Sequence, residues 1–327
     1  CKPSSHHGSL SRPGGPRHVC PGGAPACKDE VSWRFEGKPF ATVMNELPVV
    51  SDSISRARNA QASWRDAPIS ARLKIVRSLR WQLAERCEEI ASTAASSAHP
   101  LQEVFVSEVL PLLDACRFLE RRAPALLKPS RLGARGRPWW LWGVDSIICH
   151  EPFGVVGVIS PSNYPLFLGA VQTLQALVAG NAVIWKPAEG AFKTVKLFQT
   201  LLLTAGLPAD LLMILPDTLE AGISLSCAEV DKLVFTGGFA NGIKVLGNLS
   251  QNAVPAIVEL SGSDSVFVRE DADLALVAKA LKFGLLFNQS RTCMAPRRVY
   301  ASRKIIVGLE LAIKEALGDP GSQPPDE

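Results

Sequence analysis

Between Phe153 and Leu260 the chain alternates short runs that are apolar at nearly every position with longer stretches of helical periodicity. The segments 154–160, 181–186, 211–215, 233–236 and 256–260 read as strands, and 165–178, 191–203, 219–227 and 239–249 read as helices. A strand with one wet face alternates apolar and polar residues. A strand apolar throughout is buried on both faces, as in a parallel sheet covered by helices on two sides. The pattern therefore predicts a doubly wound α/β domain of dinucleotide-binding type over residues 152–261, with ligands expected at the carboxyl ends of its strands.

The flanking segments have other textures. Residues 1–48 are rich in Gly, Pro, Ser and His and are expected to be disordered or poorly packed. Residues 49–130 show apolar residues at helical spacing, Ile75, Leu79, Leu83 and Ile90 among them, and read as the helical part of the same domain. In 131–151, Pro138–Trp142 and Ile147–Ile148 read as two short strands around a turn, a hairpin arm. After Gly262 come a strand (265–268), a helix (274–287), a strand (299–301) and a helix (304–317), the start of a second α/β domain over 262–318. Residues 319–327 read as a tail.

A net charge of +4, spread along 327 residues, supplies no basic face for nucleic acid or a membrane surface. No apolar run is long enough to span a bilayer, and the first residues lack the apolar core of a signal peptide. Eight cysteines without paired spacing read as reduced thiols in a cytoplasmic protein. Cys20 and Cys27 lie near His18, but no second ligand pair follows, so no metal site is expected.

Several residues carry chemistry by type and position. Cys293 follows the helical run 274–287, and Glu259 ends the apolar run 255–258. A thiol nucleophile and a carboxylate at the ends of buried elements suit a covalent mechanism completed by water attack. The competing reading of a lone cysteine is a small buried hydrophobe. The Asn163 amide is placed to donate to an oxyanion or to form a turn before Pro165. Gly237-Gly238 before a helix offers backbone N–H groups to a pyrophosphate, or simply a tight turn. Lys186 and Glu189 follow a strand end, where ligand contact and a solvated helix start both fit. The G-x-G-x-x-G fingerprint is absent.

Taken in order, Ser160-Pro-Ser-Asn-Tyr-Pro-Leu166, Val183-Ile-Trp-Lys-Pro-Ala-Glu189, Leu233-Val-Phe-Thr-Gly-Gly238, Val258-Glu-Leu-Ser-Gly262 and Asn288 to Cys293 resemble the motifs of the NAD(P)-dependent aldehyde dehydrogenase superfamily. The resemblance covers about residues 50–315. It implies oxidation of an aldehyde to a carboxylic acid through a cysteine thiohemiacetal and thioester. Cys293 would be the nucleophile, Glu259 the base that activates water and Asn163 an oxyanion donor. Ser160, Lys186, Glu189, Thr236, Gly237, Gly238 and Leu260 would line the cofactor. The carboxylate of Glu189 favours NAD over NADP, because it suits a free ribose 2′-hydroxyl and repels a 2′-phosphate. The partners implied are a small-molecule aldehyde and, for the full-length form, further copies of the chain joined through the hairpin arm.

Some positions depart from the family pattern. Ser261 and Ser290 stand where the family usually has glycine, and Ser263 where lysine is common. Family members also continue well past residue 327, so the chain reads as a truncated form. Two alternatives follow: a catalytically inactive remnant, or a CoA-acylating enzyme, against which Glu259 argues.

Overall fold

A computed structural model of the chain describes residues 34–35, 38–39, 48–96, 99–133 and 137–318. The chain divides into two compact units, Cys1–Phe40 and Ala41–Glu327. In the first, β1 (Arg34–Phe35) and β2 (Lys38–Pro39) pair antiparallel. The rest of the expectation for residues 1–48, the Cys20, Cys27 and His18 reading, and the 319–327 tail lie outside the described residues.

The second unit opens with helices: α1 (Pro48–Trp64), α2 (Ile69–Glu85), α3 (Cys87–Ala94), α4 (Leu101–Val104), a π turn (Phe105–Val109) and α5 (Leu110–Leu126). On α2 the buried residues Leu73, Val76, Leu79 and Leu83 form one stripe, as helical spacing predicts. Arg72 is buried beside them. Its guanidinium donates to the carbonyls of Val178 (2.9 Å), Trp64 (3.3 Å) and Arg65 (2.7 Å), acceptors that a helix end leaves without intrahelical partners.

Next, β3 (Ser130–Leu132) and β4 (Ser146–Ile148) pair antiparallel. The tryptophan run is not a strand. Trp139–Leu141 form a 3-10 turn, and Trp139, Trp140 and Trp142 are 75%, 67% and 76% exposed. Pro138 precedes the turn with extended backbone, and Trp142 N–H closes it onto the Trp139 carbonyl.

Then come β5 (Val155–Ile159), α6 (Phe167–Val178), β6 (Ala182–Lys186), α7 (Phe192–Thr204), β7 (Leu212–Ile214), α8 (Leu219–Cys227), β8 (Lys232–Gly237), α9 (Phe239–Ser250) and β9 (Ala256–Leu260). The five strands form one parallel sheet in the order β7-β6-β5-β8-β9. The central strand β5 is buried at every position. The chain builds outward from β5 through β6 and β7, then returns to lay β8 on the other side of β5. That reversal is the place where doubly wound sheets bind ligands. Trp185, at the heart of the sheet, is fully buried, packs edge-on against Phe198 at 5.8 Å and donates its indole N–H to Ser160 Oγ at 2.9 Å.

The edge strand β9 departs from the expected burial on two faces. Ala256, Val258 and Leu260 turn toward the core, while Ile257 (46% exposed) and Glu259 face outward. Beyond it, β10 (Asp264–Val268) and β11 (Pro296–Ala301) form a separate parallel pair. The pair is connected through α10 (Leu274–Leu286) and followed by α11 (Ile306–Leu317), which packs against α10. Phe267 and Tyr300 stack on this pair at 5.2 Å with open sides.

Candidate active site

Cys293 sits exposed in the turn between α10 and β11. The turn is shaped by an unusual backbone run. After α10 a 3-10 turn covers Phe287–Ser290, and Asn288, Gln289 and Ser290 have φ of 48°, 49° and 60°. Left-handed backbone costs a residue with a Cβ roughly 1–2 kcal/mol, and Asn tolerates it best. Three in succession need outside support. Asn288 is the anchor. It is buried, donates its backbone N–H to Glu103 Oε2 (2.9 Å) and donates its side-chain Nδ2 to the Asn163 carbonyl (2.8 Å). Ser290, in the position that favours glycine, has a buried hydroxyl without a hydrogen-bond partner.

Asn163 comes from the loop between β5 and α6. Its Oδ1 accepts from Tyr164 N–H (3.0 Å), and its Nδ2 donates to the Arg291 carbonyl (3.0 Å). These two contacts fix which way the amide faces. One of the two amide hydrogens is thereby used, and the second remains to meet a ligand oxygen. Tyr164 adds a third tie, with its hydroxyl 2.6 Å from Thr292 Oγ1. The 163–164 loop and the 288–292 loop, far apart in sequence, are therefore hydrogen-bonded into one structure immediately before the thiol.

Behind this pair lies a buried polar cluster. Glu108, in the π turn, accepts from Leu166 N–H (2.7 Å) and Phe167 N–H (3.1 Å) at the start of α6. Burial pushes its carboxyl up to about 7, with those two N–H groups acting against the rise. Its other oxygen lies 3.6 Å from His99 Nδ1 and has no hydrogen bond. Burial also lowers the His99 pKa, so burial works against the charged form of both partners of this contact. The His99 ring stands edge-on to Tyr164 at 5.9 Å.

Glu259 comes from β9, the edge strand of the sheet. It lies near the end of β9 in register with Thr236 of β8, and its side chain is exposed. Because the strands are parallel, the carboxyl ends of β5, β6, β8 and β9 lie along the same edge of the sheet. That edge carries Ser160, Lys186, Thr236, Glu259 and Leu260.

The remaining residues sit along this edge. Thr236 Oγ1 accepts from Gln172 Nε2 of α6 (3.0 Å), across the β5–β8 switch point. A Cβ on Gly237, the last residue of β8, would stand 2.7 Å from the Phe235 ring, which would have to move to admit it. Gly238 is the N-cap of α9, supplies no side-chain cap and has open space where a Cβ would stand. The helix thus presents bare N–H groups to an incoming anion. Lys186 is half-buried at the end of β6. Burial lowers its pKa, against the raising effects of Asp217, Glu189 and Glu220. Asp217 Oδ2 accepts from Gly190 N–H (2.9 Å) and holds the loop that carries the exposed Glu189. An uncapped helix start with room above it, and a lysine ringed by carboxylates two strands away, fit the pyrophosphate and ribose of a dinucleotide.

The family model described as "Aldehyde dehydrogenase family" matches residues 30–319. The chain belongs to the aldehyde dehydrogenase family. Over 256 residues it is 31% identical to a 4,4'-diapolycopene aldehyde oxidase of a Methylomonas species, covering 78% of this chain and 48% of that protein. Over 279 residues it is 32% identical to a Mycobacterium ulcerans (strain Agy99) protein named as a "putative succinate-semialdehyde dehydrogenase" of the NADP+ type, covering 85% and 52%. A Mycobacterium tuberculosis aldehyde dehydrogenase solved with NAD+ superposes with a TM-score of 0.74 at 26% identity, covering 82% of this chain and 55% of that one. The chain spans about half the length of the curated relatives it matches.

Several residues of this aldehyde dehydrogenase family chain were given no role by the sequence, Tyr164 and Asn288 inside the motifs and the others outside them. Glu103, Glu108, Tyr164, Gln172, Asp217 and Asn288 shape the site through side chain to backbone or side chain to side chain bonds. Most of these bonds join segments far apart in the chain, which no local pattern signals. Gly242 is another: a Cβ there would stand 2.2 Å from Leu260 Cδ2, so α9 lies close on β9. Among the described residues no helix is long and apolar enough to cross a membrane, and no group of three or more His, Cys, Asp or Glu is arranged to hold a metal.

Proposed function

We propose that the protein oxidises an aldehyde to a carboxylic acid with a nicotinamide dinucleotide, through a thioester on Cys293. The observation that carries this reading is the tie between Asn163 and the thiol loop, Nδ2 to the Arg291 carbonyl at 3.0 Å, which leaves one amide hydrogen for a developing oxyanion.

Cys293 Sγ, as thiolate, adds to the aldehyde carbon. The carbonyl oxygen becomes an oxyanion held by the free Asn163 N–H and the Cys293 backbone N–H. Loss of hydride from that carbon closes the thioester, and a nicotinamide dinucleotide held at this edge would supply the hydride acceptor. Glu259 then takes a proton from water, the resulting hydroxide attacks the acyl carbon, and Cys293 leaves as thiolate while the acid departs. The bare N–H groups from Gly238 onward would hold the pyrophosphate. Lys186 and Glu189 would hold the adenosine ribose. Glu189 supports NAD over NADP, since its carboxylate and the neighbouring Asp217 and Glu220 oppose a 2′-phosphate. The partner is a small-molecule aldehyde.

The test is aldehyde-dependent reduction of NAD+ or NADP+, followed by nicotinamide absorbance. Cys293→Ser is expected to abolish turnover, Glu259→Gln to leave a single burst without steady turnover, and Glu189→Gln to narrow the preference for NAD+ by roughly tenfold, a loss of about 1.4 kcal/mol of discrimination. Full steady-state activity in Cys293→Ser overturns the reading.

A further inference from the structure

Two carboxylates from one helical stretch reach the backbone of the two loops beside Cys293. Glu103 Oε2 accepts from Asn288 N–H at 2.9 Å, and Glu108 Oε2 accepts from Leu166 and Phe167 N–H at 2.7 and 3.1 Å. The two glutamates are five residues apart. In a regular α-helix that spacing turns side chains about 140° away from one another. Here the stretch contains a π turn, with Leu110 N–H bonded to the Phe105 carbonyl. A bond from i to i+5 widens the helix and brings the fifth residue back toward the side of the first. Both carboxylates are thereby directed at the paired 163–167 and 288–292 segments.

Of the two contacts, the one to Asn288 meets the more demanding backbone. Asn288, Gln289 and Ser290 hold left-handed φ in succession, and such a run persists only where its surroundings fix it. Besides the bond within the turn, Arg291 N–H to the Asn288 carbonyl (2.9 Å), two bonds from outside it fix Asn288. One comes from Asn163, itself in the 163–164 loop. The other comes from Glu103, on a helix outside both loops. Glu103 is therefore the external reference against which the turn before Cys293 is set.

We propose that Glu103 is a positioning residue for the Cys293 thiol, acting through the Asn288 backbone amide. This rests on the assignment of Cys293 as the nucleophile. The role requires an acceptor oxygen at the full reach of a glutamate side chain, and it does not require the negative charge. Glutamine keeps such an oxygen at the same reach. Aspartate keeps the charge but withdraws the oxygen by one methylene. Alanine removes both.

The test compares Glu103→Gln, Glu103→Asp and Glu103→Ala in the full-length protein, with hydrogen–deuterium exchange over residues 286–292 and steady-state kinetics read side by side. The expected result is that Asp and Ala lose protection in this segment and lose roughly 10- to 100-fold in kcat, the scale of an ångström of misplacement. Their KM for NAD+ should stay within about twofold, because the cofactor residues lie on other strand ends. Glu103→Gln should keep both protection and kcat. A Gln variant as impaired as Ala, or an Asp or Ala variant with normal protection and normal kcat, overturns the proposal. If Ala does not fold, the Gln and Asp pair decides. Cys293→Ser separates the underlying assignment: if it still turns over, the nucleophile is elsewhere, and exchange at 286–292 still reports whether Glu103 sets the turn.

Discussion

Glu108 carries its carboxyl into the interior with one oxygen bonded twice and the other bonded to nothing. Burial lifts its pKa to about 7 in the folded protein, above the unfolded carboxylate value of about 4.3. A folded pKa above the unfolded one means that the fold binds the proton more tightly. The contribution to stability is then fully present below about pH 4.3 and is lost as pH rises through about 7. His99 works in the opposite sense, since burial lowers its pKa and its protonation below about pH 6.5 opposes folding. The difference between wild type and Glu108→Gln isolates the carboxyl. Urea unfolding should show wild type losing up to roughly 3 kcal/mol relative to Glu108→Gln between about pH 4.3 and 8. Parallel profiles would refute the shift. At Ser290, where φ is 60° and the hydroxyl is buried unbonded, Ser290→Gly should raise stability by about 1 kcal/mol, seen as a higher melting temperature.

At the scale of elements, α9 contains a matched pair of glycines. A Cβ on Gly242 would meet Leu260 at 2.2 Å, whereas one on Gly247 would meet nothing within 4 Å. Gly247→Ala should stabilise by about 0.5–1 kcal/mol through helix propensity. Gly242→Ala should destabilise by about 1–3 kcal/mol by forcing the helix off β9. Thermal melts of the two variants moving in the same direction would contradict this close packing. The central strands were legible in the sequence, because β5, β6 and β8 are apolar runs bounded by Gly154, Asn181 and Gly238, where the pattern stops abruptly. The tryptophan run was not, since apolar content alone does not separate a strand from an exposed 3-10 turn. Nor was the open face of β9, because Ile257 looks like any core residue until its place at the sheet edge is known. Cys293, Asn163 and Glu259 could be singled out by residue type and motif. Glu103 could not, because its bond to Asn288 spans 185 positions of sequence.

Over the whole molecule, burial is uneven. The five-stranded sheet and the helices and loops packed around it hold the largest fully buried side chains, whereas β10 and β11 form a lone pair with Phe267 and Tyr300 exposed. Two-stranded sheets are marginal by themselves, and protection from hydrogen exchange follows local burial. Amides of β10 and β11 should therefore exchange well before those of β5, β6 and β8. Equal protection across both sheets would show that the smaller pair is stabilised as firmly as the larger.

The placement of the tryptophans gives the molecule two optical populations. Among the described residues, Trp185 and Trp64 are buried with their indole N–H groups bonded to Ser160 Oγ and the Leu177 carbonyl, while Trp81, Trp139, Trp140 and Trp142 stand in water. Emission from the two sealed indoles should lie to the blue and resist iodide quenching, and emission from the four exposed ones should lie to the red and quench readily. Because Trp185 touches Ser160 at the end of β5, the part of the blue component that Trp185→Phe removes would register events along the edge of the sheet, and the red component, with three of its four indoles in the hairpin, would register whatever comes to cover it. One emission spectrum, resolved by quencher, would follow the sheet and the hairpin at once.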